Sequence, residues 1–394
     1  MKGLLLVLTL LLLAAVQAFS QATFSGYMFG DYYFNAARDT MFNHTAPANS
    51  ALNSAAPGPN SMQAFQFRRI YFTMDDKISD NFQARFRLEA DQAATPGVTG
   101  PTANTSTGAI GSADELLSGK VAPFIKEANL TWKNIFEGSN AIFGLQLTPG
   151  FALSEAAWGY RFLEKTLMDQ KGLVPSVDLG ASLKGKLASD GTVNYWLMIA
   201  NNDVSGTLPE NNKFKRYYAN LQVWPVTNLQ ATAYVDYNAA PEISNLAKTA
   251  TVNNSTVTGA VFVGYGKSAL ISPEPTDYNF GAEVFVQSQQ NGYKNSSGEL
   301  ASKNGLGFWV YGQYYFMPDL GVVARYDHYD PNTGSDLAAK YDSRNYALGG
   351  LVYKPDKNVY ISPNVIWESY ETPANGVSID ASVTARVTVW FIFL

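Results

Sequence analysis

Apolar and polar residues alternate along most of this chain, and this period of two limits its fold more than any other feature. In the final stretch, every second residue from Ile379 to Phe393 is apolar. Successive side chains of a β-strand point to opposite faces, so eight apolar positions at one parity form one apolar face. Such a strand is longer than most soluble sheets use, whereas a tilted strand of about 9–11 residues spans a bilayer.

The same alternation marks about sixteen segments that we predict to be strands. They are residues 23–35, 64–75, 82–91, 122–134, 140–148, 177–188, 193–201, 214–224, 228–238, 257–266, 277–288, 304–316, 320–330, 342–354, 358–370 and 379–394. The connections between them alternate between short and long, and most of the short ones contain Pro, Gly, Asn or Asp. Only residues 267–276 are longer than the other short connections.

This alternation is typical of bacterial transmembrane barrels, which have tight periplasmic turns and long outer loops. A sheet inside hydrocarbon must also close on itself, because an open edge leaves backbone groups without hydrogen-bond partners. We therefore predict an all-β fold, a transmembrane antiparallel β-barrel of about 16 strands. The long loops of this barrel include residues 36–63, 92–121 and 149–176.

The first residues are predicted to direct the chain out of the cytoplasm. Lys2 precedes an apolar run from Leu4 to Val16, and small residues follow up to Ala22. This pattern is that of a secretory signal peptide, with an apolar run too short to span a membrane as a helix. We expect a signal peptide over residues 1–22 and one barrel domain over residues 23–394, located in the bacterial outer membrane.

Composition excludes several other classes of function. The formal net charge is -5, so there is no basic excess to hold nucleic acid. The chain has no Cys and two His, which leaves no thiolate chemistry and few groups for metal binding or acid–base catalysis. We predict neither an enzyme nor a bound cofactor. Aromatic residues near strand ends, such as Tyr32–Phe34, Trp309–Tyr315 and Tyr326, are expected to form belts at the membrane interfaces.

Several segments resemble one known family. The stretch Phe67-Arg68-Arg69-Ile70-Tyr71-Phe72 and the strand from Phe82 to Glu89 resemble the first hairpin of the phosphate-selective porins of the O and P type. Residues Ala141 to Phe151 resemble the strand that leads into the third loop of those porins, and Arg161 to Lys165 resembles the end of that loop. These motifs lie within residues 64–185, whereas the strand order and count resemble the family over nearly the whole mature chain.

The resemblance implies sixteen strands, a third loop folded into the lumen and a homotrimer. The third long loop here is residues 149–176, and Leu153 to Lys171 is rich in residues that favour helices. It is expected either to constrict the lumen or to form a short helix over the mouth of the barrel. Within it, the candidate constriction residues are Glu155, Arg161, Glu164, Lys165 and Lys171.

Strand parity also assigns charged residues to the lumen. The candidate pore-lining cations are Arg85, Arg87, Lys133, Lys184, Lys186, Arg216, Arg325 and Arg386. The candidate inward carboxylates are Glu89, Asp91, Glu127, Asp178, Asp236, Glu283, Asp327, Glu368 and Asp380. Arg85 and Arg87 are adjacent rungs, joined across the hairpin by Arg68 or Arg69, so they could pass an anion between guanidinium groups. Alternatively, wall arginines pair with wall carboxylates and only stiffen the barrel.

The sequence thus favours an outer-membrane diffusion channel for small hydrophilic solutes. The family resemblance suggests anions, including phosphate, as the solute class. The net negative charge departs from the Arg ladders and Lys cluster of the phosphate-selective porins. The alternative is a structural or adhesive barrel with a plugged lumen, whose loops 36–63 and 92–121 bind a ligand outside. The expected partners are the outer-membrane bilayer and small solutes or inorganic anions.

Overall fold

The computed structural model describes residues 22–39, 60–91, 123–202, 212–266, 278–336, 343–372 and 378–394. The predicted signal peptide, except for its last residue, lies outside the described residues, as do most of the loops 36–63 and 92–121.

Sixteen strands form one closed antiparallel barrel, as predicted. The barrel strands are β1 (Thr23–Ala37), β2 (Gln63–Lys77), β3 (Phe82–Asp91), β4 (Pro123–Phe136), β5 (Ser139–Leu147), β6 (Val177–Lys186), β7 (Val193–Ala200), β8 (Arg216–Val226), β9 (Leu229–Asn238), β12 (Thr256–Gly266), β13 (Tyr278–Lys294), β14 (Leu300–Met317), β15 (Leu320–Asp330), β16 (Arg344–Asp356), β17 (Val359–Tyr370) and β18 (Ser382–Ile392). Each pairs with its neighbours in sequence order, and β1 pairs with β18 to close the barrel.

Most strand ends lie within two residues of the predicted boundaries, and three differences are larger or add an element. The loop after β9 contains a small hairpin of β10 (Ile243–Ser244) and β11 (Thr251–Val252). Strands β13 and β14 run further than predicted and pair again beyond an irregularity near Gln289. The last strand begins at Ser382 rather than at residue 379. Local alternation cannot detect such ends, because it continues into segments that lack a pairing partner.

The outward face of the barrel is apolar, as the alternation predicts, and the inward face carries polar and charged side chains together with buried aromatic rings. On β18, Val387 and Val389 are exposed on the outside, whereas Arg386 and Thr388 are buried on the inside. Large apolar side chains elsewhere on the outside are strongly exposed, including Phe143 at 70%. This surface suits a hydrocarbon solvent, and closure leaves no sheet edge for that solvent to meet.

The prediction of aromatic belts was wrong for several residues. Tyr33, Trp309, Tyr311 and Tyr315 are buried inside the barrel. The rings of Trp309 and Tyr311 pack on the third loop. Position along a strand identified these rings as interfacial, but parity sends every second one inward. Tyr326 does face outward, at 38% exposure.

Tight turns join the strands at the end of the barrel where the chain enters and leaves it. Gly138 turns between β4 and β5 with a φ of 73°, and Asn228 turns between β8 and β9 with a φ of 66°. Gly and Asn tolerate this left-handed conformation better than other residues do. An even strand count places β1 and β18 side by side in opposite directions, so both described ends of the chain lie on the turn side.

The third loop contains two short helices, α1 (Ala152–Trp158) and α2 (Leu167–Gln170). Helix α1 packs against β12 and β13, and α2 packs against β14. The loop therefore lies within the barrel, and the alternative of a helix over its mouth is not what the structure shows. None of the helices among the described residues is long and apolar enough to span a bilayer.

Candidate functional site

Trp158, at the end of α1, anchors the third loop to one side of the wall. Its side chain has no exposed surface and contacts the rings of Trp309 and Tyr311 edge-on, with centroid distances of 6.1 and 5.1 Å. Its indole Nε1 donates a hydrogen bond of 2.8 Å to the carbonyl oxygen of Glu164, further along the same loop. Edge-to-face rings and a satisfied indole N–H make this a rigid attachment.

Inward-facing amides of the wall also bind the backbone of the loop. Asn220 on β8 donates to the carbonyl of Pro149 at 2.9 Å, and Gln313 on β14 donates to the carbonyl of Trp158 at 2.5 Å. The hydroxyl groups of Tyr160 and Tyr315 are 2.9 Å apart. Such bonds satisfy loop carbonyls that would otherwise be buried without partners.

Four wall arginines donate to carbonyl oxygens of the same loop. The pairs are Arg68 with Phe162 and Leu163, Arg216 with Leu173, Arg325 with Lys165, and Arg386 with Leu163. Three of these arginines were predicted to line the pore, and each also binds a wall side chain. Arg216 pairs with Asp236 at 2.9 Å, Arg325 with Asp327 at 2.6 Å, and Arg386 donates to Asn364 at 2.9 Å. They lie at most 4% exposed, between the wall and the loop.

A cavity of about 600 Å³ inside the barrel lies where the loop faces β2, β3 and β4. It reaches the turn side of the barrel, where Ser25 and Ile392 line it. From the loop, Ala152, Glu155 and Arg161 contribute to its lining. This space is a part of the lumen that the loop does not fill.

Strands β2, β3 and β4 face the loop across this cavity. Four of their inward cations form a group that we call the cation wall: Arg69, Arg85, Arg87 and Lys126. Each pairs with a carboxylate of the same wall. Arg69 and Lys126 contact Glu89 at 3.2 and 3.1 Å, Arg85 contacts Asp75 at 2.7 Å, and Arg87 contacts Glu127 at 2.7 Å.

The cations cover two of these carboxylates. The side chains of Glu89 and Glu127 are 1% and 3% exposed, whereas that of Arg87 is 20% exposed. Around Glu89 and Glu127 the exposed groups are therefore guanidinium and ammonium groups, whereas Asp75, the partner of Arg85, is itself 25% exposed.

Two β-bulges turn additional cations inward, one of them in the cation wall. In the pairing of β3 with β4, Arg87 is opposite Glu127 while the next residue, Leu88, is opposite Ile125, so Lys126 is the extra residue. Both Lys126 and Glu127 consequently contact inward groups. A bulge of this kind redirects a side chain without interrupting the sheet.

The second bulge lies on the neighbouring strand β2. Phe29 is opposite Arg69 and Gly30 is opposite Phe67, which leaves Arg68 as the extra residue. Arg68 reaches the third loop, and Arg69 reaches Glu89. The sequence left open whether Arg68 or Arg69 faces the lumen, and in the structure both do.

Sequence reasoning missed Lys126, because strict parity sends it outward once Glu127 points inward. A signal was present in β4. Its outward apolar positions change from odd numbers, as at Ile125, to even numbers, as at Leu130 and Trp132. Such a change of parity within one strand requires an extra residue, and therefore indicates a bulge.

On the loop side, Arg161 faces this wall and forms ion pairs with Glu155 and Asp169. Lys165 lies 3.8 Å from Asp169. Burial by itself raises the pKa of Asp169, but Lys165 and Arg161 outweigh it and hold the pKa well below its usual range. The third loop inside the barrel thus contains four of the predicted constriction residues, namely Glu155, Arg161, Glu164 and Lys165.

Glu164 is the buried carboxylate at the centre of the loop attachment. Burial alone raises the pKa of Glu164, but the nearby Arg68, Arg386 and Arg325 outweigh it and lower the pKa. The carboxylate is thus held in its charged form by arginines that also bind the loop backbone. Lys171, the fifth predicted loop residue, lies elsewhere, with its Nζ 5.7 Å from the ring centroid of Tyr329.

Three further predicted pore residues lie towards the turn side. Lys184 places its Nζ 4.1 Å from the ring centroid of Trp196, and Lys186 is exposed at the end of β6. Lys133 is half-buried near the end of β4. Lys184 also lies close enough to Arg85 of the cation wall for the two positive charges to interact.

No family model and no curated protein matches the sequence. Solved structures do match. DcaP, an outer membrane channel of Acinetobacter baumannii, is 14% identical with a TM-score of 0.57, over 94% of this chain and 97% of its own. A loop L8 deletion mutant of OmpT, an outer membrane protein of Vibrio cholerae, is 11% identical with a TM-score of 0.55, over 95% and 99%.

An anion-selective porin from Comamonas acidovorans is 10% identical with a TM-score of 0.54, over 95% of this chain and all of its own. The chain has the fold of a bacterial outer-membrane porin. At these identities the likeness concerns the fold alone. The phosphate-selective type that the sequence motifs resemble is not among these three structures.

Proposed function

We propose that this protein is an outer-membrane diffusion channel that passes small hydrophilic solutes and prefers anions. The observation that carries the proposal is the cation wall. At the third loop, Arg87 and Lys126 face the remaining lumen, and the carboxylates paired with them are buried beneath. Selectivity is set at the narrowest part of a channel, so these positive groups matter more than the overall charge of the chain.

Arg85 and Arg87 keep their proposed place on the anion path, since both line the cavity. Arg216, Arg325 and Arg386 act mainly as supports in this proposal, because the loop covers them. Inorganic phosphate is included among the candidate solutes, on the strength of the sequence resemblance. The proposal also includes the signal peptide over residues 1–22 and a homotrimeric assembly.

The test is a planar-bilayer measurement on the purified full chain, with a potassium chloride gradient across the membrane. We expect stepwise openings and a reversal potential that favours chloride. In the double variant R87Q/K126Q we expect the preference for chloride over potassium to fall by about threefold per charge removed. This is the size expected for one charge about 6 Å from an ion in water.

The matched control is K77Q/K357Q, which removes two exposed positive charges, one at the end of β2 and one in the turn after β16. It leaves the reversal potential close to that of the original chain. A potential that favours potassium in the original chain, or one that the two double variants change equally, contradicts the proposal.

A second candidate is a structural or adhesive barrel with a plugged lumen, and one observation favours it. Hydrogen bonds hold the third loop to strands on several sides of the wall, including β2, β8, β15 and β18. A loop fixed in this way leaves little space for solutes. Absence of openings, with the folded barrel shown by heat-modifiable migration in gels, supports this candidate over the channel.

A further inference from the structure

We propose that the cavity beside the third loop selects organic anions with a flat apolar body, of the aromatic carboxylate class. This inference rests on the proposed anion channel and names its solutes more closely. It follows from two different surfaces that meet in one cavity of about 600 Å³. A volume of this size is in the range of sites for small molecules.

The first surface fixes the charge of the occupant. Four cations line the cavity, namely Arg85, Arg87, Lys126 and Arg161, against one carboxylate side chain, Glu155, among the described residues. Glu155 is itself paired with Arg161. A carboxylate placed here can therefore replace water with charge-assisted hydrogen bonds.

The second surface is aromatic, and we call it the aromatic wall: Tyr27, Tyr71, Phe162, Tyr360 and Trp390. Its rings form one continuous chain of contacts. Centroid distances are 4.8 Å from Tyr27 to Tyr71, 6.0 Å from Tyr27 to Trp390, 5.1 Å from Trp390 to Tyr360, and 5.7 Å from Tyr360 to Phe162. All five residues line the cavity.

The two walls meet at one point. The guanidinium carbon of Arg87 lies 5.8 Å from the ring centroid of Tyr71. A solute whose carboxylate binds Arg87 or Lys126 therefore has the partly exposed ring of Tyr27 beside the rest of its body, and Tyr27 in turn packs against the buried ring of Tyr71. A flat ring there gains stacking contacts, whereas a strongly hydrated inorganic ion loses water against these faces and gains none.

Packing of the loop explains part of the aromatic wall but not all of it. Phe162 belongs to the loop and contacts Tyr360 and Trp390, so those three rings help to seat it. Tyr27 contacts the rings of Tyr71 and Trp390, both on the barrel wall, and remains partly exposed. Its position on the cavity surface is the part of the aromatic wall that loop packing does not require.

The test measures how sodium benzoate, sodium acetate, sodium phosphate and neutral benzamide reduce the chloride current through single channels of the full chain. We expect benzoate to half-block the current at about tenfold lower concentration than acetate, the size of one good aromatic contact. Benzamide and phosphate block more weakly than benzoate.

Two matched variants locate the effect. In Y27L the advantage of benzoate over acetate falls to about threefold or less, because one ring of the pair is lost. In Y314L, which removes a tyrosine exposed at 51% on the outer face, the advantage stays unchanged. If Y27L does not fold, R87Q replaces it, and there the block by benzoate weakens while that by benzamide does not.

The outcomes separate this inference from the proposed function. A channel that prefers chloride but is blocked equally by benzoate and acetate overturns the inference and leaves the anion channel standing. Stronger block by phosphate than by benzoate also overturns it, in favour of an inorganic oxyanion. A reversal potential that favours potassium overturns the proposed function itself.

Discussion

The guanidinium of Arg386, on the last strand, donates a hydrogen bond of 2.9 Å to the carbonyl oxygen of Leu163, in the third loop. A second bond, to the amide oxygen of Asn364 at 2.9 Å, fixes the arginine against the wall. Arg386 and Leu163 are 223 positions apart in sequence. This contact fixes the position of the loop relative to the strand that closes the barrel.

Replacing Arg386 tests how firmly the loop is held. In R386Q the shorter side chain does not reach Leu163, and a buried charge-assisted hydrogen bond of this kind is worth about 1.5–3 kcal/mol. We expect a lower temperature of heat-modifiable unfolding and larger fluctuations of the open-channel current. A variant with unchanged current noise and unchanged unfolding temperature shows that Leu163 is held by other contacts.

Trp158 is expected to contribute more to stability than any outward tryptophan. The variant W158A removes a fully buried ring and leaves a cavity between the loop and Trp309, at a cost of about 3–5 kcal/mol. The control W132A removes a tryptophan that is 46% exposed on the outer face. Denaturant titration of both variants in detergent checks the difference, and equal destabilisation contradicts the role assigned to Trp158.

The bulge at Lys126 allows us to predict the effect of deleting this residue. Without Lys126, Ile125 and Glu127 become neighbours in sequence and pair with Leu88 and Arg87, which are neighbours too. The sheet then becomes regular, and the remaining side chains keep their faces. We expect the deletion variant to fold and to lose anion preference about as much as K126Q.

Deleting Ala128 instead is the control for that experiment. Ala128 pairs directly with Phe86 and lies outside the bulge. Its loss reverses the faces of all residues on one side of it, so this barrel is expected to fail to fold. Heat-modifiable migration in gels measures how much folded barrel each deletion variant yields. We expect a higher yield from the Lys126 deletion, and equal yields contradict the assignment of Lys126 as the extra residue.

Acid is expected to loosen the third loop. The pKa values of Glu164 and Asp169 are lower in the folded chain than in the unfolded one, because arginines and Lys165 stabilise their charged forms against burial. Their contribution is complete above the unfolded values and is lost as the pH falls through the lower folded values. The loop should therefore loosen only below about pH 4, where unfolded carboxylic acids take up protons.

Protease digestion and current noise at pH 7 and pH 3 measure this effect. The variant E164Q lacks one of the titrating groups, so its current noise is expected to depend less on pH between these values. Loosening of the loop on the alkaline side, between pH 7 and pH 9, is the result that contradicts the assignment to these carboxylates.

The barrel could be predicted from the sequence because its signals are local. Alternation along Phe82–Asp91 or Ser382–Ile392 shows which residues of a strand share a face, and short connections show where the chain turns. Burial in the lumen also followed for charged residues such as Arg386. The same reasoning placed Trp309 and Tyr315 in a membrane belt, although both are inside.

What the sequence by itself determined is the number of strands, their faces and the order of turns and loops, since each depends on residues within one hairpin. Parity assigned Arg85 and Arg87 to the lumen, but only the tertiary structure decided which inward cations remain open to it and which the third loop covers. Lys126 faces inward because of the register of β3 against β4, and Arg216 is covered because Leu173 lies on it. Loop contacts join residues far apart in sequence, and their energies depend on all the partners together, so no local pattern reveals them. The bulge in β4 leaves only a change of parity in the sequence, and which groups then meet in the lumen depends on the pairing with β3.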